Sequence, residues 1–473
     1  MRNSPSQSDL SFLSIDRAAR LLQSKKISPV ELVDAALARI ERWNPEIDAF
    51  ITVLADSARR QAHAAEREIR RGRSRGPLHG IPIALKDNFW TRGIRTTAGT
   101  KILSDFIPDK DSDVAARVSR AGAILLGKTN MHEFAYGITG YNPHFGTPRN
   151  PWARDRITGG SSSGSAAAVS TGMVFASVGT DTAGSIRVPS ALCGIVGLKP
   201  TYGLVSNEGV VPLAHSFDHS GPITRSVTDA CIVLEAIASN YPKGMAQLAH
   251  RKLSVSSLRK FRIGLPKEHY FERLDRDVER CVRAAIVQMR MLGARVGEIS
   301  LPRLTALFQS TQNLSVAEAS YYHESQGYYP ARAADYGDDV RGHLQRGHDL
   351  RAVDFVDGLA KLPQLDEDFR AAFARVDFIL SPTCPIPAPE VGQDKISING
   401  AEETPVRAEL LRFTRPTNLV GLPSISIPCG FTPEGLPVGL QLIGPKWSEA
   451  RLLSIALAYE QSTDWHTHHP GLS

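Results

Sequence analysis

From Gly159 to Pro189 the chain reads GGSSSGSAAAVSTGMVFASVGTDTAGSIRVP, a run dominated by serine, glycine and alanine. Composition alone would allow a flexible linker. Two features argue for a packed interior instead. The apolar stretch Val174–Val178 interrupts the run, and the run leads into Cys193-Gly-Ile-Val-Gly-Leu-Lys-Pro200, which reads as buried structure. The chain must therefore fold so that this small-residue segment is enclosed, with glycines permitting close backbone approach.

The surrounding pattern is that of an α/β sheet. Short apolar strands at Ile81–Leu85, Ala123–Leu126, Val174–Val178 and Ile195–Leu198 alternate with helices and glycine-rich turns. Further strands are expected at Phe261–Leu265, Phe378–Leu380, Ser424–Pro428 and Val438–Ile443. Ser28-Pro29-Val30-Glu31 is a capping box, followed by apolar residues at helical spacing. Other helices are expected over 54–71, 227–238 and 275–292. Strand signals on both sides of a helical 300–375 segment indicate one sheet carrying an insertion. The expected organisation is N-terminal helices over 1–75 packing on the core, a main domain over 76–460, and a tail over 461–473.

Composition excludes several classes. With 42% hydrophobic and 22% charged residues in 473, the chain is not mainly disordered. A net charge of +6 is too dilute to argue for nucleic acid. No stretch approaches the roughly 20 apolar residues of a membrane span, and Met1–Asp9 lacks the apolar core of a signal peptide. Five widely spaced cysteines without a C-x-x-C pair fit a reducing cytoplasm. A cytoplasmic protein without metal or cofactor is expected.

Three motif matches and two residue clusters carry less than they promise. Gly122-Ala-Ile-Leu-Leu-Gly-Lys-Thr129 fits a P-loop, but Ser112 or Asp113 opens a helix ending at Gly122 and the apolar run then reads as a strand. Gly160-Ser-Ser-Ser-Gly164 fits a nucleophile elbow, yet the polar, irregular Asn150–Arg156 precedes it where a buried strand is required. Ser257-Leu-Arg-Lys260 is an isolated S-x-x-K in a charged segment. His466, His468 and His469 read as a mobile tail rather than a metal site. The basic run Arg70–Arg75 reads as a solvated helix end.

What remains is Lys86 closing the strand Ile81–Leu85, together with the serine-rich run. In isolation Lys86 also fits a surface lysine at a strand end. Taken together these segments closely resemble the amidase signature family. The blocks G-I-P-I-A-L-K-D-N, G-G-S-S-x-G-S and D-T-x-G-S-I-R occur in family order, with Lys86 75 residues before Ser161 and Ser161 24 before Ser185. Gly127-Lys-Thr-Asn-Met-His-Glu-Phe134 and Thr414-Arg-Pro-Thr-Asn-Leu-Val-Gly-Leu-Pro423 extend the likeness to about 30–455.

The resemblance implies an α/β/α sandwich around a large mixed β-sheet and a Ser–Ser–Lys triad. Ser185 would be the nucleophile, Ser161 the bridging serine after a cis peptide bond, and Lys86 the general base. A lysine can serve only when neutral, so burial must lower its pKa. Backbone N–H groups of Thr182, Ala183, Gly184 and Ser185 would form the oxyanion hole, with Ser162, Arg187 and Asp181 in support. The family commonly has glycine where this chain has Ala183; a positive φ there would strain alanine.

Within the resemblance, two readings compete. One is a stand-alone amidase acting on a small or medium amide, anilide or hydrazide with an apolar or aryl acyl group. The other is the glutaminase A subunit of a glutamyl-tRNA amidotransferase. That subunit usually carries an acidic residue shortly before T-x-P-x-N-L, where this chain has Leu410-Leu-Arg-Phe413, and the expected R-I-x-L-G-T stretch reads Asp339-Val-Arg-Gly-His-Leu344. Glutamine needs opposite charges for its ammonium and carboxylate, so the first reading is the expectation. Its acyl pocket would draw on Met131, Tyr136, Ile138, Tyr141 and Phe145, with Tyr321, Tyr322 and Phe413 as further candidates. The expected partner is a small-molecule amide, without nucleic acid or membrane; a homodimer is what the resemblance suggests, with the oligomeric state left open by the sequence.

Overall fold

The structure, a computed structural model, describes residues 10–239 and 258–472. Met1–Asp9 and Ser257 lie outside the described residues. In chain order the main-sheet strands are β1 (Phe50–Val53), β2 (Pro82–Lys86), β3 (Ile124–Thr129), β4 (Ala176–Asp181), β5 (Val196–Lys199) and β6 (His219–Thr224). There follow β7 (Arg262–Pro266), β8 (Arg295–Ile299), β9 (Phe378–Pro382), β10 (Ser424–Phe431) and β11 (Pro437–Ile443). They form one eleven-stranded sheet in the order β1-β3-β2-β4-β6-β5-β10-β11-β9-β7-β8. Parallel pairs lie towards the ends, β2 with β3 and β4, and β7 with β8 and β9. The middle, from β4 through β6, β5, β10 and β11 to β9, is antiparallel. The fold is α/β, with helices packed on a mixed sheet.

Alternation along β2 shows why both faces are covered. Ile83 and Leu85 join one apolar cluster with the helix Val227–Ile237. Ala84 joins another with the helices Pro29–Ile47 and Ser163–Ser170. A strand buried on both faces cannot alternate apolar with polar residues, and β2 is buried throughout. Lys86 ends this strand and takes its burial from it.

Local chemistry sets the N-terminal helices. Ser28 accepts from the Glu31 N–H at 3.1 Å, and Glu31 accepts from the Ser28 N–H at 2.7 Å, which opens Pro29–Ile47. At the far end of Ala55–Arg70 the basic run is partly paired, Arg70 with Glu66 and Arg75 with Glu68. Between β8 and β9 come the helices Leu304–Ser310, Gln312–Ser325, Asp338–His348 and Ala352–Arg375. The C-terminal residues differ from a free tail: the His469 ring stacks on Phe12 at 4.0 Å and Trp465 lies against Phe431. Among the described residues no helix is long and apolar enough to cross a membrane.

Candidate active site

Lys86 is fully buried at the end of β2. Its Nζ donates to Ser161 Oγ at 2.8 Å and to Thr180 Oγ1 at 2.7 Å. Burial pushes its pKa down to about 7, against the opposing pull of the Asp218 and Asp181 carboxylates. Asp218 is itself pushed up to about 6 by burial, although it accepts from the Thr182 hydroxyl and from the Leu213 and Ala214 N–H groups. The site thus holds a lysine whose neutral form is favoured by burial.

The Gly160–Ser161 peptide is cis. The Ser161 carbonyl accepts from the His132 N–H at 3.1 Å, and the Ser162 N–H donates to the Ser185 carbonyl at 3.2 Å. These bonds bring the two serine segments side by side. The Ser162 hydroxyl donates to the Thr180 carbonyl at 3.2 Å, so it holds backbone rather than facing the cavity.

Asp181, at the end of β4, organises the turn that presents Ser185. Its carboxylate accepts from the N–H groups of Gly184 at 2.8 Å and Ile186 at 3.1 Å, and from Asn418 Nδ2 at 2.8 Å. Burial would raise this carboxyl, yet the Arg187 guanidinium outweighs it and holds the group well below the usual carboxylate range. Arg187 is itself fully buried and bonds Asp181, Thr417, Gln441 and Asn418 at 2.6–3.0 Å. Of the four N–H groups expected to form an oxyanion hole, that of Gly184 is engaged by Asp181. Ala183 carries no positive φ; the unusual conformation sits at Gly184, φ +143°, where a Cβ would meet Thr414 Oγ1 at 2.2 Å. Replacing Arg187 with methionine leaves Asp181 buried and unpaired. That should cost about 3–5 kcal/mol of unfolding free energy in a denaturant titration.

A cavity of about 20 Å³ lies against Ser185, bounded among others by Tyr136, Ile138, Thr182, Leu411, Arg407 and Arg415. It shares Gly137, Ile138 and Arg407 with a second cavity of about 350 Å³, which Tyr141, His343 and Asp339 also line. A third, of about 370 Å³, shares Arg407, Leu411 and Arg415 with the first. Tyr136 and Ile138 therefore line the cavity at Ser185, and Tyr141 the one that adjoins it. Met131 is packed into an apolar cluster, and Phe145 offers its carbonyl to Asn130; neither lines these cavities. Tyr321 is 75% exposed, Tyr322 packs against the Met131 cluster and Phe413 lies in core. Arg407, Thr180 and Asp218 were not singled out from the sequence, while Arg415 and Asn418 lay in the Thr414–Pro423 block without a role assigned to them.

The discounted motifs are structural here. Lys128 lies within β3 and donates to the Phe89 carbonyl at 2.7 Å and Thr96 Oγ1 at 2.8 Å, so its charge is spent internally. The segment before Gly160 is less irregular than expected, because Ala153–Ile157 pairs with Arg149–Asn150 in a separate two-stranded sheet. All five cysteines are free and buried. Among the described residues no cluster of three or more metal-ligating side chains occurs.

The family model named Amidase matches residues 31–453. The chain belongs to the amidase family. It is 39% identical over 492 residues to the A subunit of the glutamyl-tRNA(Gln) amidotransferase of Geobacter metallireducens, covering 98% of this chain and all of that one. Among solved structures, a crystallised amidase superposes with a TM-score of 0.86 at 35% identity, covering 95% of this chain and 99% of the other. The peptide amidase of Stenotrophomonas maltophilia gives 0.80 at 31%, covering 96% and 97%.

These findings correct two expectations. A stand-alone amidase with an apolar or aryl acyl group yields to the subunit reading, because the likeness to the amidotransferase A subunit spans both chains. The expectation that the chain acts on a small-molecule amide without partner subunits is corrected with it, because these full-length relatives are named as subunits of an amidotransferase. The physical reason lies in where charge was sought. The lack of an acid just before Thr414 weighed against the subunit reading, whereas charge near Ser185 comes from distant segments: two arginines border its cavity and Asp339 lines the cavity that adjoins it.

Proposed function

We propose that this chain is the glutamine-hydrolysing A subunit of a tRNA-dependent amidotransferase, releasing ammonia for partner subunits that amidate glutamyl-tRNA. The full-length likeness to the amidotransferase A subunit carries this reading. The site supports it with a buried lysine bonded to Ser161, beside a turn that presents Ser185 to a cavity.

In this mechanism Ser185 Oγ attacks the glutamine carboxamide carbon. Its proton passes to Ser161, which gives its own to neutral Lys86. The carbonyl oxygen, now negative, is received by the backbone N–H groups of Thr182, Ala183 and Ser185, the Gly184 N–H being held by Asp181. Lys86 returns the proton through Ser161 to the nitrogen, the C–N bond breaks, and ammonia leaves. Water then cleaves the acyl ester on Ser185 by the same relay, giving glutamate.

The test supplies the chain, alone and with amidotransferase partner subunits, with glutamine and glutamyl-tRNA. Glutamate formation and glutaminyl-tRNA synthesis in the assembled complex are the expected result. Failure of both in the complex, while the chain alone hydrolyses other amides, would overturn the reading.

A further inference from the structure

Asp218 stands where three parts of the site meet. It is buried, and its carboxylate accepts from the hydroxyl of Thr182, at the start of the turn that presents Ser185. It also accepts from the N–H groups of Leu213 at 2.9 Å and Ala214 at 3.2 Å, and Leu213 borders the Ser185 cavity. The same loop reaches the segment that follows Lys86. There the Val211 N–H donates to the Asn88 carbonyl at 2.8 Å, and Asn88 Nδ2 donates at 3.3 Å to Thr180 Oγ1, which also accepts from Lys86.

Charge makes the position more than a brace. Two carboxylates act on Lys86, Asp218 more strongly than Asp181. The charge of Asp181 is already matched by Arg187 at 2.9 Å, whereas among the described residues Asp218 has no such partner. Burial keeps the neighbouring His219 and Tyr202 neutral. Glu318, from the helix Gln312–Ser325, meets the loop at the Ser216 N–H, at 2.9 Å. When Lys86 accepts the Ser161 proton, the lysinium so formed is buried, and a buried cation left without an opposite charge is strongly destabilised.

We propose that Asp218 is a positioning residue for amide hydrolysis, fixing the Thr182 end of the oxyanion turn and supplying the counter-charge to the lysinium formed at Lys86. This rests on the proposed relay through Ser161 to Lys86, and not on which amide is the substrate.

Asp218→Asn removes the charge and keeps the tie, because Nδ2 can donate to Thr182 Oγ1 while the remaining oxygen accepts from Leu213 and Ala214. Without the charge the protonated lysine is less stable, so the break in the pH profile of kcat/KM should move about one unit below its place near 7. One pKa unit is about tenfold in the stability of the lysinium, so the plateau above the break should fall about tenfold. Below the break the free enzyme and the transition state both carry the proton on Lys86, and the two profiles should nearly superpose. A merely structural defect would lower both limbs and leave the break in place. Thr182→Val should lower kcat by up to about 10², towards the cost of losing an oxyanion-hole donor, with the break unmoved, and Thr182→Ser should restore it. Should Asp218→Asn misfold, Asp218→Ser removes the same charge and is held to the same shift. The profiles are read on glutamine with the assembled complex, and on hexanamide with the chain alone if the complex leaves glutamine untouched, so a failed glutaminase reading is seen separately. An unmoved break in the charge-removing variants, or parental kcat in Thr182→Val, would overturn the role.

Discussion

Ser185→Ala is expected to reduce amide hydrolysis by on the order of 10⁴–10⁶, the scale on which removing a serine nucleophile acts. The folded chain should be unaffected. What holds the turn is backbone and Asp181: the Ser185 carbonyl accepts from the Ser162 N–H, and the Gly184 and Ile186 N–H groups donate to Asp181. None of these bonds uses the Ser185 hydroxyl. An unchanged melting temperature with activity at background is therefore the expected pair of results. Retained hydrolysis in a purified variant would mean that another group attacks the amide.

How much of this was legible beforehand depends on how local each signal was. The serine-rich run, the strand ending in Lys86 and the spacings between them are contiguous motifs, and they lie together in the structure as Lys86 Nζ bonded to Ser161 Oγ. Strands β2, β3, β5, β10 and β11 were marked by apolar runs. Central β6 was not. It reads His219-Ser-Gly-Pro-Ile-Thr224, with Pro222 paired opposite Val178, and its place comes from neighbours on both sides rather than from strand propensity.

Charge was the harder part. Arg407 and Arg412 sit in a stretch that reads as an ordinary charged helix surface, and Arg415 in a motif that gave no sign of which way its side chain turns. Two of them border the Ser185 cavity, while Arg412 pairs with Glu409. Nothing within a few residues separates these fates, because burial of a side chain is decided by elements distant in sequence. The aromatic pocket erred for the same reason: Tyr136 reaches the cavity, yet Tyr321 points to solvent. Residue type suggested an apolar acyl group where the assembled walls carry two cations.

Lys86→Met should separate function from stability. A general base contributes about 10²–10⁴ in rate, so activity should fall by at least that range. In the parent, kcat/KM should rise about tenfold per pH unit below 7 and level off above it, as Lys86 loses its proton. The variant should lose that break. The sign for folding runs the other way from a paired group. In the unfolded chain lysine stays protonated up to about 10.4, while in the folded chain it is neutral above about 7. Between those values the unfolded state binds the extra proton, so stability rises with pH across that window. At neutral pH the buried lysine costs on the order of 4 kcal/mol. Methionine removes that cost and forfeits two hydrogen bonds, leaving Ser161 and Thr180 short of a donor at about 1–3 kcal/mol; Thr180 still accepts from Asn88 at 3.3 Å. The first effect outweighs the second, so the inactive variant should melt at or above the parent's temperature at pH 7. A clear drop in melting temperature would make Lys86 a structural anchor instead of a base held neutral for catalysis.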